Sequence, residues 1–173
     1  VAKFPRFPFD KFTSAPNTLG TQMKATGEVM GIGSTLEECL LKSIRSLEIG
    51  VNHFYMAKFD KMSTDQLFAY LQEFKDDNIF CITELLRRGQ SVDKLHNVTK
   101  ITAFFLDAVQ NIVNMEKELA QSVSNKEVLL KAKKMGFGDA YIAKLWKIRE
   151  IDIYNMRKEQ GIYPAYRMVD TCH

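Results

Sequence analysis

Apolar residues alternate with polar ones at the start of this chain and recur every three or four positions later on. The change falls near residue 33. VAKFPRF alternates but is interrupted by Pro5, which removes a backbone donor, so it predicts an edge strand. GEVMGIG, set between glycines, predicts a second short extended piece. A strand pair of this size is rarely stable alone, so a supporting sheet outside this chain is expected.

From Ser34 onward the period is helical. Ser34 is placed to cap a first helix, with Glu37 completing a capping box. Leu36, Leu40, Ile44 and Leu47 form its apolar stripe, and Gly50 is expected at its C′ position. The loop VNHFYMAKFDKM follows, its aromatics expected to pack on the layer beneath. Ser63 with Gln66 forms a second capping box, opening a helix with Leu67, Leu71 and Phe74 inward. Asp77 or Asn78 starts the next, with Ile79, Ile82 and Leu86 inward and Gly89 as its stop. Ser91 caps SVDKLHN. Thr99 is the expected cap of the longest helix, along which Ile101, Phe104, Phe105, Ala108, Ile112, Met115 and Leu119 keep helical spacing. Asn125 caps a helix ending at Gly136. Asp139 opens another with Ile142 and Leu145, and Asp152 opens the last, which Gly161 ends.

The connections are short, so the helices should pack as antiparallel or crossed neighbours. The predicted fold is mainly α, a multi-helix domain with a short N-terminal β appendage. NIFCITELLRRGQSVDKLHNVTKITAFF and AYIAKLWKIREIDIYNMRKEQGIYPAY share a layout, each with a short helix opened near an Asp (Asp93, Asp152). A duplication into two similar helical subdomains and a pair of merely similar hairpins both fit this echo.

Composition narrows the class. The 173 residues are 46% hydrophobic, with 12 Phe, 6 Tyr and 8 Met, enough for a sizeable core. Net charge is +3 with the signs mixed, a pattern of solubility rather than of nucleic-acid binding. No apolar run approaches the ~20 residues of a bilayer span, and no signal peptide opens the chain. Cys39, Cys81 and Cys172 are odd in number, far apart and without a CxxC. They read as reduced thiols of a cytosolic protein, two of them in cores. A start at Val1 and an end at His173 suggest a piece cut from something longer.

Few residues invite chemistry. TGEVMGIGS, Thr26 to Ser34, can be read as a phosphate-holding turn ahead of a helix N-terminus or as a plain strand-to-helix turn. It lacks the Walker Lys-Ser/Thr, and Glu28 is its only carboxylate. His53, His96 and His173 have no second His or Cys at metal-ligand spacing, and Glu84 and His96 would meet only through tertiary folding. IAKLW and IDIYNMRK loosely imitate a helix-turn-helix, with Arg157 and Lys158 available to a groove but Glu159 following them. Phe104, Phe105, Tyr141, Trp146, Tyr154, Tyr163 and Tyr166 are core or interface aromatics. No residue is assigned a catalytic, cofactor-binding or metal-binding role.

Three stretches carry a family resemblance. They are KFPRFPFDKF…LGTQMKATGEVMGIGSTLEECLLKSIRSLEIG (Lys3 to Gly50), ELLRRGQSVDKLHNVTKITAFFL, and GFGDAYIAKLWKIREIDIYNMRKEQGIYPAYRMVDTC (Gly136 to Cys172). In this order and spacing the chain resembles an internal fragment of the glutamine-hydrolysing carbamoyl-phosphate synthetase large chain. Ser34 departs from the Arg that many members carry after Gly-x-Gly, and His173 from an expected Ala.

The resemblance implies a parent ligase, cytoplasmic and allosteric. It makes carbamoyl phosphate from bicarbonate, glutamine-derived ammonia and two ATP with Mg or Mn, for arginine and pyrimidine synthesis. Residues 1–50 would be the tail of the carboxyphosphate-forming ATP-grasp module. Residues 51–173 would be the helical oligomerisation and connection domain. Implied partners are other large chains and a glutaminase small chain, with no nucleic acid and no membrane. The ATP and metal ligands of the family lie upstream of Val1, so the fragment itself is expected to be non-catalytic and free of cofactors. A helix-turn-helix nucleic-acid module and a generic helical adaptor are the alternatives.

Overall fold

The computed structural model describes residues 1–9 and 11–169. Within them a two-stranded antiparallel sheet is followed by eight α-helices, so the mainly helical class with a small β appendage holds. The predicted positions of Cys172 and His173 lie outside the described residues.

Strand β1 (Ala2–Arg6) pairs with β2 (Gly27–Gly31), Phe4 opposite Val29. Phe4 and Val29 share one face and are partly buried against the helical core, and Lys3 bridges Glu28 at 2.6 Å on the other. Helix α1 (Leu36–Ser46) packs on both strands. At Gly31 the contact is so close that a Cβ would run into the Cys39 carbonyl and the Ser43 hydroxyl. The support expected from a larger sheet is therefore supplied, within this chain, by a helix.

Helix α1 corrects the sequence reading at both ends. Its cap is Thr35, whose hydroxyl accepts from the Glu38 amide at 3.2 Å, not Ser34. The reciprocal carboxylate is Glu38, which takes the Ser34 amide at 2.7 Å. The helix ends at Ser46, and Glu48 is the first left-handed residue (φ 53°); Gly50 (φ 76°) belongs to the loop. Cys39, Leu41, Ser43, Ile44 and Leu47 are buried, while Leu36 and Leu40 are half-buried. The buried surface is wider than one stripe because the sheet covers one side of α1 and helix α5 the other.

Helix α2 (Thr64–Leu71) opens with the expected Ser63–Gln66 capping box. Leu67 and Leu71 are buried, but Phe74 lies beyond the helix with φ 48° and is 63% exposed. Its carbonyl instead accepts from the Leu19 amide at 2.7 Å, which pins the Pro/Gly-rich segment against this turn. Helix α3 (Asn78–Arg87) ends before Gly89 (φ 81°), and helix α4 (Val92–Thr99) is capped by Ser91, both as expected.

The longest helix, α5 (Ala103–Gln121), starts later than the pattern suggested. Thr99 is the last residue of α4, where its hydroxyl donates to the Leu95 carbonyl at 2.8 Å; Thr102 stands at the start of α5. This places Phe104 and Phe105 in the first turn, outside the body, and both are exposed. Ala108, Ile112, Met115 and Leu119 are buried as expected, joined by Leu106, Val109, Val113 and Glu116. Helices α1, α3 and α4, with α6 (Lys126–Lys134) and α7 (Asp139–Trp146), all pack on α5, which makes it the axis of the core. Trp146 ties α7 to it by donating Nε1–H to the Leu119 carbonyl at 2.7 Å.

Asn125 caps α6 as expected. Asp139 stands at the first position of α7, with Gly138 before it, and its carboxylate is turned to two cations instead of to the helix end. Helix α8 (Glu150–Glu159) has Asp152 in its first turn, accepting from the Arg149 amide at 3.2 Å. Helix α8 lies on α7, whereas α4 lies on α5 and α2, so the two echoing segments pack differently. No helix among the described residues is long and apolar enough to cross a membrane.

Candidate functional site

The glycine-rich turn comes first because its backbone amides precede a helix. Here the chain fills the anion position itself. The Glu38 carboxylate binds the Ser34 amide and is paired to Lys42 at 2.7 Å. A Cβ at Gly33 would collide with that same carboxylate. Of the two readings left open by the sequence, the geometry fits the strand-to-helix turn.

The polar heart of the molecule was not visible in the sequence. Glu116 lies on the buried face of α5. Its Oε1 accepts from His53 Nε2 at 2.8 Å and from Arg87 Nη2 at 2.8 Å, while its Oε2 accepts from Arg87 Nε at 2.7 Å. Arg87 also donates to the Phe54 carbonyl. The bidentate pair is the strong form of charge-assisted bond. Burial works against an ionised Glu116, but the hydrogen bonds from Arg87 and His53 outweigh it and hold the carboxyl below its ordinary value. Burial pushes the His53 imidazole down, more than Glu116 pulls it up. A neutral His53 facing a carboxylate must carry its proton on Nε2. The imidazole also stacks on Tyr141 at 3.7 Å between ring centroids. The clasp thus joins the loop after α1 to α3, α5 and α7.

A second ionic cluster fixes the C-terminal helices. Asp139 accepts from Lys133 at 2.9 Å and from Arg157 Nη2 at 2.5 Å, linking α6, α7 and α8. Burial opposes ionisation of Asp139, and the bonds from Lys133 and Arg157 overcome it. Arg157, one of the two cations that a groove-reading helix would need, is therefore committed inward. This removes the main support for the helix-turn-helix alternative.

The remaining sequence candidates scatter. Cys39 and Cys81 are buried free thiols, as expected for core cysteines, and burial raises Cys81 to about 12. His96 bonds the Ile101 carbonyl at 2.7 Å, and Glu84 pairs with Arg87 and Arg88 rather than with His96. Among the described residues no group of three or more His, Cys, Asp or Glu is placed to hold a metal ion. The aromatic set divides. Tyr141 and Trp146 are core residues, whereas Phe104, Phe105, Tyr154, Tyr163 and Tyr166 are exposed.

Phe104 and Phe105 form an exposed aromatic pair at the start of α5. They are 65% and 50% exposed, their rings meet edge to face at 5.4 Å, and the exposed Val98 lies on neighbouring α4. Paired exposed aromatics of this kind mark contact surfaces. Helix α8 exposes a smaller set, Ile151 and Tyr154.

A family model described as carbamoyl-phosphate synthetase large chain, oligomerisation domain, matches residues 28–161. The match takes in every helix and most of β2.

Proposed function

Because the chain belongs to the family of the carbamoyl-phosphate synthetase large-chain oligomerisation domain, we propose that it holds large chains together and connects their catalytic parts, without a reacting centre of its own. The single observation that carries the association role is the exposed Phe104–Phe105 pair at the α4–α5 corner. Burying two such rings against a partner contributes several kcal/mol before the cost of association.

In this reading residues 51–173 are the association and connection domain, and residues 1–50 are the closing tail of an ATP-grasp module. Helix α1 is packed into the helical body through Arg45 on the Gly136 carbonyl (2.6 Å) and Asn111 on Glu37 (2.8 Å), which suits a rigid junction between the two. The parent is read as a cytoplasmic, allosteric, glutamine-dependent ligase that forms carbamoyl phosphate with ATP for arginine and pyrimidine synthesis. Its partners are further large chains and a glutaminase small chain. Bicarbonate, ammonia and ATP would be handled by parts of the parent outside this segment.

Light scattering of the isolated chain across micromolar concentrations tests the association role, with an expected rise of mean mass toward a multiple of 19.9 kDa. A constant monomer mass contradicts it. Calorimetry with Mg-ATP tests the non-catalytic reading; no saturable heat is expected, and micromolar binding overturns it.

A further inference from the structure

A groove of about 480 Å³ runs between the loop after α1 and the first turns of α7. Its size is that of small-molecule sites. The rings of His53, Tyr55 and Tyr141 line it, with Ala140 contributing to its wall. Two lysines also line it, and they differ. Lys58 is held by Asp77 and Tyr70. Lys144 is exposed, has no carboxylate partner among the described residues, and rests its ammonium 3.5 Å from the centroid of the Tyr55 ring. His53 presents its ring to this wall, and its Nδ1 is buried without a hydrogen-bond partner. The clasp beneath holds the ring in place through Glu116, so this side of the groove is preformed.

We propose that this groove binds a small planar anion, a flat aromatic ring bearing a carboxylate or similar acid, with the ring on the Tyr55–Tyr141 side and the acid at the Lys144 ammonium. Tyr55 is the wall that offers ring surface to a flat ligand, Tyr141 being already stacked on His53 behind it. A cation lying over one wall and lacking a counter-charge selects an acid over a neutral ring. The site is distinct from the Phe104–Phe105 surface and does not depend on self-association.

The test uses 2-naphthoate and neutral 2-naphthamide as probes, titrated into the isotopically labelled chain and followed by amide chemical shifts. Saturable shifts confined to residues 50–58 and 140–144 are expected, with 2-naphthoate the tighter probe. Lys144→Glu, on an exposed position, should weaken 2-naphthoate about five-fold or more while leaving 2-naphthamide within about two-fold. Ala140→Trp, which fills the groove, should abolish both. No saturable shift, shifts centred on Phe104 and Phe105, or equal affinities that Lys144→Glu does not separate would each overturn the proposal. Phe104→Ser/Phe105→Ser should leave probe binding unchanged even if it alters association, so the two readings fail separately.

Discussion

The imidazole of His53 donates to the carboxylate of Glu116 at 2.8 Å across 63 residues of sequence, and both side chains are buried. Arg87 closes the same carboxylate from α3. Three polar groups drawn from a loop and two helices thus share one site, with Glu116 accepting from both His53 and Arg87.

Removing Glu116 leaves a buried guanidinium without its counter-charge and a buried imidazole without its acceptor. Glu116→Ala should cost about 3–5 kcal/mol in urea unfolding, followed by the fluorescence of the single Trp146, which is 4% exposed against α5. A loss below about 1 kcal/mol would mean that the clasp contributes little.

The same site sets a pH dependence. Burial pushes His53 below its ordinary value, with Glu116 pulling upward and Arg87 and Arg45 pushing further down. The unfolded chain, with an imidazole pKa of about 6.5, therefore takes up a proton first as pH falls. Stability from neutral His53 is complete above about pH 6.5 and is lost as the pH drops toward the lower folded value. Glu116 is also depressed, so its contribution is complete above about pH 4.3 and is lost below that. Unfolding free energy should decline in two stages, and His53→Gln should remove the upper one. A flat profile between pH 7 and 5 in the natural chain would contradict this.

At Gly31 the β2 backbone lies against the Cys39 carbonyl of α1. Gly31→Ala should force the sheet off the helix and cost about 1–3 kcal/mol. It should raise amide exchange in residues 2–6 and 27–31 while leaving α5 and α7 protected. Uniform exchange, with no local loosening, would argue against α1 as the support of the strand pair.

The sequence revealed the helices where a cap or stop acts locally. Ser63 with Gln66, Ser91, Asn125 and Gly89 need only their own neighbours, and each stands where the pattern put it. It misled at the start of α5. The pattern puts the cap at Thr99, but the left-handed Lys100 (φ 60°) closes α4 there and α5 starts after Thr102, whose side chain makes no capping hydrogen bond. Phe104 and Phe105, which the sequence presents as core or interface aromatics, lie at the surface. Glu116 left a faint signal, a charge among Ile112, Met115 and Leu119 on one helix face. Its partners His53 and Arg87 are far away in sequence, and only the packing of the loop and α3 on α5 brings them together. The groove is of the same kind, since Tyr55 and Lys144 meet only after folding.

The central claim is that the Phe104–Phe105 corner joins copies of this chain. Sedimentation equilibrium of the natural chain beside Phe104→Ser/Phe105→Ser tests it most directly. The exposed double substitution should change stability by no more than about 0.5 kcal/mol. The natural chain should associate in the micromolar range, and the variant should stay monomeric with an unchanged thermal midpoint. Equal association of the two proteins, or a monomeric natural chain, would contradict the claim.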